Sequence, residues 1–337
     1  MKPTDFSKYI SDFISRYLPG EKGASPNTIA AYRDTFVLLL NFTQKEKNMK
    51  IEKLTLEKIT KETILAFLDW LQMERNCSNT TRNSRLAAIH SFYRYLQNES
   101  LDYVHECQKI LSVKFKKAKK ETLNYLTIEG MTLLLNQPDT RTPRGRRDLA
   151  LLSLFYDTGA RVQEIIDLTP SALRLDKPAT IKIVGKGNKA RLVPMLDAQV
   201  EHLINYMMEN RLNAAFANAY PLFFNSRKEK LTRAGIHHIV QKYTGMARKK
   251  NPIIIPEKLS CHSLRHSKAM HLLQAGVNLV YIRDILGHVS VQTTEIYARA
   301  DSRQKREALA KAYVNFNPDE VPMWTRDTNL ITWLKTF

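Results

Sequence analysis

Four short stretches hold the residue types from which an ester-exchanging site could be built. Arg161 lies in Thr158-Gly159-Ala160-Arg161-Val162-Gln163-Glu164, directly after an apolar run. Lys186 stands between Gly185 and Gly187. His262 and Arg265 are three apart in His262-Ser263-Leu264-Arg265-His266, which puts them on one face if that segment is helical. Leu286-Gly287-His288 precedes Tyr297 by nine residues. Guanidinium forks bind anionic oxygens in pairs, imidazole and ammonium groups move protons, and a phenol can act as nucleophile. Each stretch alone also has an ordinary reading. An Arg-x-x-Glu step is commonly an intrahelical ion pair, a lysine between glycines a wet loop tip, and tyrosine occurs 14 times in the chain. The conjunction and the order are what single them out.

The elements that must position these residues follow from hydrophobic periodicity. Apolar spacing predicts helices at 126–135, 147–156, 197–211, 232–248, 263–275, 278–286 and 301–314. Between them, 180–184 and 190–195 read as two short strands joined by Gly185-Lys186-Gly187-Asn188-Lys189, a hairpin with Lys186 at its tip. Pro318 and Pro322 then break the chain before an apolar tail containing Leu330, Ile331, Trp333, Leu334 and Phe337. Ahead of these lies Ser112–Asn124, with five lysines and little periodicity, which reads as an exposed basic linker. Residues 1–111 show only helical patterns. Ser25-Pro26-Asn27-Thr28 opens one helix with Ile29, Tyr32, Phe36 and Leu39 at 3–4 residue spacing, and 61–74 holds Ile64, Phe67, Leu68 and Leu71. A third helix begins at Ser78-Asn79-Thr80-Thr81 and carries Leu86, Ile89, Phe92 and Leu96, with Arg82, Arg85 and Arg94 on its other side. The fold class expected is therefore mainly α (α+β): a helical bundle with one basic side, then a mostly helical domain with a small antiparallel sheet.

The 337 residues suffice for two domains, and a formal net charge of +19 points to a polyanionic partner, of which nucleic acid is the commonest in a cell. The apolar runs, such as Val37–Leu40, fall far short of the ~20 residues a bilayer span needs. The N-terminus lacks the basic–apolar–small layout of a signal peptide. Three distant cysteines, Cys77, Cys107 and Cys261, suit reduced cytoplasmic thiols and neither a disulfide framework nor a zinc site. No carboxylate cluster suggests Mg²⁺ and no Walker loop suggests ATP.

Arginine, a glycine-flanked lysine on a hairpin, His-x-x-Arg, Leu-Gly-His and then tyrosine form, in this order, a pattern that closely resembles the tyrosine recombinase (phage integrase, Xer-like) family. Arg265 and His288 are separated by 23 positions and His288 and Tyr297 by nine, spacings similar to those of the family. The resemblance implies a core-binding domain of SAM-like helical type over 1–111, a linker over 112–124, a catalytic domain over 125–315 and a tail over 316–337. It implies that Arg161 and Arg265 clamp the scissile phosphate, that Lys186, His262 and His288 complete the catalytic set, that Tyr297 is the nucleophile, and that Glu164 supports the arginine region. His266 follows Arg265 as in many relatives and reads as structural. Ala298-Arg299 and Lys268 depart from residues frequent in the family, outside the catalytic set.

Physical chemistry gives this set a logic. Exchanging one phosphodiester for another through a phenol conserves the bond energy, so neither a metal nor ATP is implied. With a pKa of about 10, only ~0.1% of a tyrosine is phenolate at pH 7, a cost of about 4 kcal/mol. Arg161, Arg265 and a base, for which His262 is the candidate, would lower it. Lys186 on a mobile hairpin would protonate the departing 5′ oxygen, and the guanidiniums with His288 would hold the charge that builds on the phosphorane.

The resemblance also implies a partner, double-stranded DNA bearing specific sites, with the two domains closing around it, and a homotetramer assembled there from protomers that are monomers when free; accessory or directionality proteins are compatible with it. Arg82, Arg85 and Lys119 are candidate phosphate anchors, with the basic stretches Arg141–Arg147 and Arg248–Lys250. The apolar tail is a candidate for docking on a neighbouring protomer, with docking on its own domain as the alternative. Integration, excision, inversion and chromosome dimer resolution would all use the same site. A type IB topoisomerase, which reseals the same strand, and a DNA-binding protein without catalysis are the competing readings.

Overall fold

The computed structural model describes residues 3–118, 123–300 and 334–335, the side chain of Lys186 excepted. The chain divides into two compact units, Met1–Glu121 and Thr122–Phe337.

The first unit is all helix. Helix α1 (Asp5–Asp12) starts at Thr4, whose hydroxyl accepts from the Ser7 N–H, and continues into a π-helical stretch, Phe13–Glu21. Helices α2 (Pro26–Glu46), α3 (Lys61–Met73) and α4 (Asn79–Glu99) open on Ser25, Thr60 and Ser78, each capping an N–H three residues on, and α5 (Val104–Leu111) follows. Phe13 is fully buried, with its ring 5.4 Å from Phe92, 5.5 Å from Tyr95 and 6.2 Å from Phe36. Leu86, Ile89, Phe92 and Leu96 are buried as their spacing predicts.

Helix α4 has less of a basic face than expected, because it is the central helix of this unit, packed on α2, α3 and α5. Arg82, expected on the surface as a phosphate anchor, is 3% exposed, and its Nη1 reaches the Asn83 Oδ1 at 3.3 Å and the Lys114 carbonyl at 3.5 Å. Asn83 accepts from the Lys116 N–H at 3.0 Å and donates to the Lys116 carbonyl at 2.7 Å, and Asn79 donates to the Lys117 carbonyl at 2.8 Å. One turn of α4 thus straps the linker backbone along itself. Arg85 likewise turns inward, donating to the Ala31 carbonyl and the Thr35 hydroxyl of α2. Lys119 lies outside the described residues.

The second unit is mostly helical with one small sheet. Helices α6 (Ile128–Leu135) and α7 (Pro143–Thr158) lead to a short helix α8 (Val162–Ile166). Three antiparallel strands follow in the order β1 (Leu173–Arg174), β2 (Thr180–Val184), β3 (Ala190–Pro194), with Ile181 opposite Val193 and Ile183 opposite Arg191. Then come α9 (Asp197–Glu209), α10 (Arg233–Lys250), α11 (Cys261–Gln274), α12 (Leu279–Leu286) and α13 (Glu295–Ala300). The main core gathers Leu151, Phe155, Ile181, Tyr206 and Val240; a smaller one gathers Met270, Ile282, Leu286 and Tyr297.

The basic stretch Arg141–Arg147 spends most of its charge internally. Arg141 pairs with Asp139 at 2.9 Å, Arg146 grips Glu209 through two nitrogens, and Arg147 meets the fully buried Asp148 at 2.6 Å. Arg144 is exposed. The helix expected at 301–314 and nearly all of the 316–337 tail lie outside the described residues. Among the described residues, no helix is long and apolar enough to cross a membrane.

Candidate active site

The C-terminal end of α12 organises the site. A helix leaves its last carbonyls without intrahelical partners and carries partial negative charge there. Here three guanidiniums fill that role. Arg191 donates through Nε to the Ile285 carbonyl at 2.8 Å, Arg265 through Nη2 to Leu286 at 2.7 Å, and Arg161 through Nη2 to Gly287 at 3.2 Å. Gly287 ends the helix at φ +66°, a conformation glycine adopts at little cost.

Each arginine comes from a different element. Helix α7 stops at Gly159, φ +54°, and Arg161 opens α8 two residues on. Glu164, three residues into that helix, accepts from the Arg161 N–H at 2.9 Å and from its Nη1 at 2.8 Å. The other oxygen contact of this carboxylate is Arg191 of β3, at 2.8 Å. Glu164 is 6% exposed; burial alone would raise its pKa, but Arg191 and Arg161 outweigh that and hold it below the usual carboxylate range. Arg265, on α11 and 3% exposed, donates its second nitrogen to the Gly159 carbonyl at 2.6 Å. Burial first, and then Arg161, push its pKa down to about 10.

Tyr297 on α13 is 1% exposed. Burial raises its pKa, against the opposing pull of Arg265 and Arg161, so the phenol is neutral at physiological pH. The His288 ring stacks on Tyr297 with centroids 6.4 Å apart and 10° between planes, and His288 Nδ1 lies 2.9 Å from the Thr294 hydroxyl. The imidazole at hydrogen-bonding distance from the phenol is His266, whose Nδ1 is 3.0 Å from the Tyr297 hydroxyl. His262, the expected base, sits one turn earlier on α11, exposed, with its ring 6.1 Å from that of His266.

Arg161, Glu164, His262, Arg265, His288 and Tyr297 are thus brought together. The backbone of Lys186 lies at the β2–β3 hairpin tip, and its side chain is outside the described residues. Two residues of the cluster escape the motif. Arg191 is legible only through strand alternation, since it shares a face with Val193 and stands opposite the buried Ile183. His266 is adjacent to Arg265 in sequence, and only the position of α13 reveals that it faces the phenol. Lys268 is structural: it pairs with Asp157 at 3.6 Å and lies over the Tyr156 ring.

A histidine- and arginine-lined, acid-poor site of this kind fits no metal-ligand group among the described residues. Residues 124–304 match the phage integrase family model, and 11–100 match the phage integrase N-terminal SAM-like domain. A putative integrase/recombinase of Sinorhizobium fredii is 35% identical over 310 residues, 92% of this chain and 92% of the relative. Tyrosine recombinase XerC of Thermodesulfovibrio yellowstonii is 31% identical, covering 94% of this chain and all of the relative. Among solved structures, XerH recombinase bound to difH substrate superposes with a TM-score of 0.65 at 22% identity, over 90% of this chain and 85% of that one. The Tn1549 transposon integrase in complex with transposon right end DNA gives 0.70 at 15% identity, over 90% and 97%; likenesses this distant speak for the fold. With the family model spanning most of the second unit and relatives above 30% identity along nearly the whole length, the chain belongs to the phage integrase family of tyrosine-type site-specific recombinases.

Proposed function

We propose that this protein cuts and rejoins duplex DNA at specific sites by transesterification, with Tyr297 forming a 3′-phosphotyrosine intermediate and releasing a 5′ hydroxyl. The observation that carries this reading is the guanidinium pair: Arg161 and Arg265 are fixed on the carbonyls around Gly287, within electrostatic reach of Tyr297. Two such forks neutralise a phosphodiester and hold the charge that grows on its non-bridging oxygens, each donor worth roughly 3–4 kcal/mol by deletion. Glu164 orients Arg161, His262 and His288 add hydrogen bonds to the same oxygens, and Lys186 protonates the leaving 5′ oxygen. No step requires a metal ion or nucleotide.

Exchange between two duplexes by way of a Holliday junction needs four strand cleavages, so the working form is a tetramer on DNA. Residues 1–111 and 125–315 act as the core-binding and catalytic domains, joined by the 112–124 linker, and the 316–337 segment is the candidate for protomer docking. Integration or excision of a mobile element and chromosome dimer resolution are the tasks this chemistry serves.

The test is a suicide substrate nicked next to the cleavage site, drawn first from the flanks of the encoding element, incubated with chelator and resolved on denaturing gels. The wild type forms a covalent adduct with a free 5′ hydroxyl, and Tyr297→Phe forms none. Equal trapping by both, or trapping by neither while both bind, would sink the reading.

A further inference from the structure

The motif leaves open which group takes the proton from Tyr297. We propose that His266 is the immediate acceptor of the phenolic proton and that the DNA phosphate arms it by occupying Arg265 and Arg161. This rests on the transesterification reading above.

The geometry comes first. His266 Nδ1 and the Tyr297 hydroxyl are 3.0 Å apart, with ring centroids at 5.7 Å, and both groups sit inside the second unit, Tyr297 at 1% exposure. His262 is exposed and stacks behind His266 rather than on the phenol. A base must reach the proton it removes, and His266 does.

The charged groups around His266 explain why it does not act in the free protein. His262 and Arg265 lie on its own helix, Tyr297 faces it from α13, and His288 approaches from beyond the end of α12. Burial, then His262 and Arg265, hold the His266 pKa down at about 4. In the tautomer protonated at Nε2, a neutral His266 accepts a hydrogen bond from the neutral phenol, and the nucleophile stays protonated. A phosphodiester bound between Arg161 and Arg265 brings negative charge against the cations that depress these imidazoles, so their proton affinity rises. The proton then passes from the phenol to His266 Nδ1, the phenolate oxygen forms the bond to phosphorus, and the bond from phosphorus to the 5′ oxygen breaks as that oxygen gains a proton from Lys186. Without DNA the same site is unreactive, which spares a tyrosine surrounded by cations from premature ionisation.

The experiment follows covalent trapping on the nicked substrate across pH for the wild type and His266→Asn. The amide oxygen of Asn can still accept the hydrogen bond near the Nδ1 position but cannot take up a proton. At pH 7 the variant should cleave on the order of 100-fold more slowly. The deficit should shrink about tenfold per pH unit as hydroxide replaces the base. A substrate with sulfur in place of the 5′ bridging oxygen should rescue Lys186→Ala and leave His266→Asn slow. A deficit constant with pH, no deficit, or rescue by sulfur overturns the base assignment, while adduct formation by the wild type keeps the underlying reading intact. Independently of any variant at 266, ¹⁵N-histidine NMR of Tyr297→Phe should show the His266 titration moving upward when the nicked duplex binds. An unmoved titration overturns the arming step.

Discussion

The Arg191 guanidinium rests 2.8 Å from the Glu164 carboxylate, a pair of buried side chains that ties the hairpin strand β3 to the first turn after Arg161. Since Glu164 also holds Arg161, neutralising it strands two guanidiniums at once. Glu164→Gln should lose about 3–5 kcal/mol of stability, as for other broken buried pairs, and lower the trapping rate. The linkage has a definite sign. The folded-state pKa of Glu164 is depressed, so its contribution is fully present above the ordinary value of 4.5 and lost as pH falls through the folded one. Urea melts between pH 3 and 6 should show this acid loss in the wild type and a flatter curve in Glu164→Gln.

The histidines give a second acid dependence in a different window. His266 and His288 both have pKa values pushed down to about 4, by burial first and then by neighbouring cations. Folding favours their neutral forms, so the stability they contribute is complete above the ordinary value of 6.5 and fades as pH falls toward 4. The loss stays below about 3 kcal/mol per residue and is smaller in practice, because both rings are partly open to solvent that screens the neighbouring cations. Thermal melts from pH 7.5 to 4 should fall more steeply for the wild type than for a His266→Asn, His288→Asn double variant. Parallel curves would mean that these imidazoles titrate normally.

The candidate site was legible in the sequence chiefly through the order of its motifs and their resemblance to a known family. Arg265 lies on a helix that periodicity predicts, whereas α8, which Arg161 opens, and α13, which carries Tyr297, are too short to show a helical period. Strand alternation turns Arg191 inward, but its role and that of His266 were not readable because they depend on tertiary approach: β3 meeting the end of α12, and α13 lying over α11. Arg82 misled for a different reason. It stands four and seven residues before Leu86 and Ile89, on their side of α4, so helical periodicity itself turns it inward, and only its charge suggested the surface.

The burial of Arg82 can be checked directly. Its Nε is buried without a hydrogen-bond acceptor among the described residues, and burial lowers its pKa. A guanidinium so poorly matched contributes little beyond packing, so Arg82→Met should fall within about 1 kcal/mol of the wild type. DNA affinity measured from 50 to 300 mM salt should keep its slope in this variant. The exposed Arg144 is the contrasting case, and Arg144→Ala should reduce the slope by about one. A fall of one unit for Arg82→Met would return Arg82 to the phosphate contacts.

Gly287 carries the sharpest structural constraint on the guanidinium cluster. At φ +66° any L side chain is strained, and a Cβ there would lie 2.8 Å from Arg191 Nη1 and 3.2 Å from its Cζ. The carbonyl of the same residue holds Arg161. Gly287→Ala must therefore displace Arg191, which loosens Glu164, or rotate the peptide, which releases Arg161. Either way the phosphate clamp moves while the main core around Phe155 and Val240 is untouched. The expected outcome is a trapping rate down by ~100-fold or more for a loss of about 1–3 kcal/mol in stability. Substrate affinity at low salt should change less than the trapping rate, since the substitution disturbs only the clamp on the scissile phosphate. If trapping by Gly287→Ala matched the wild type, the end of α12 would not be what positions the arginines.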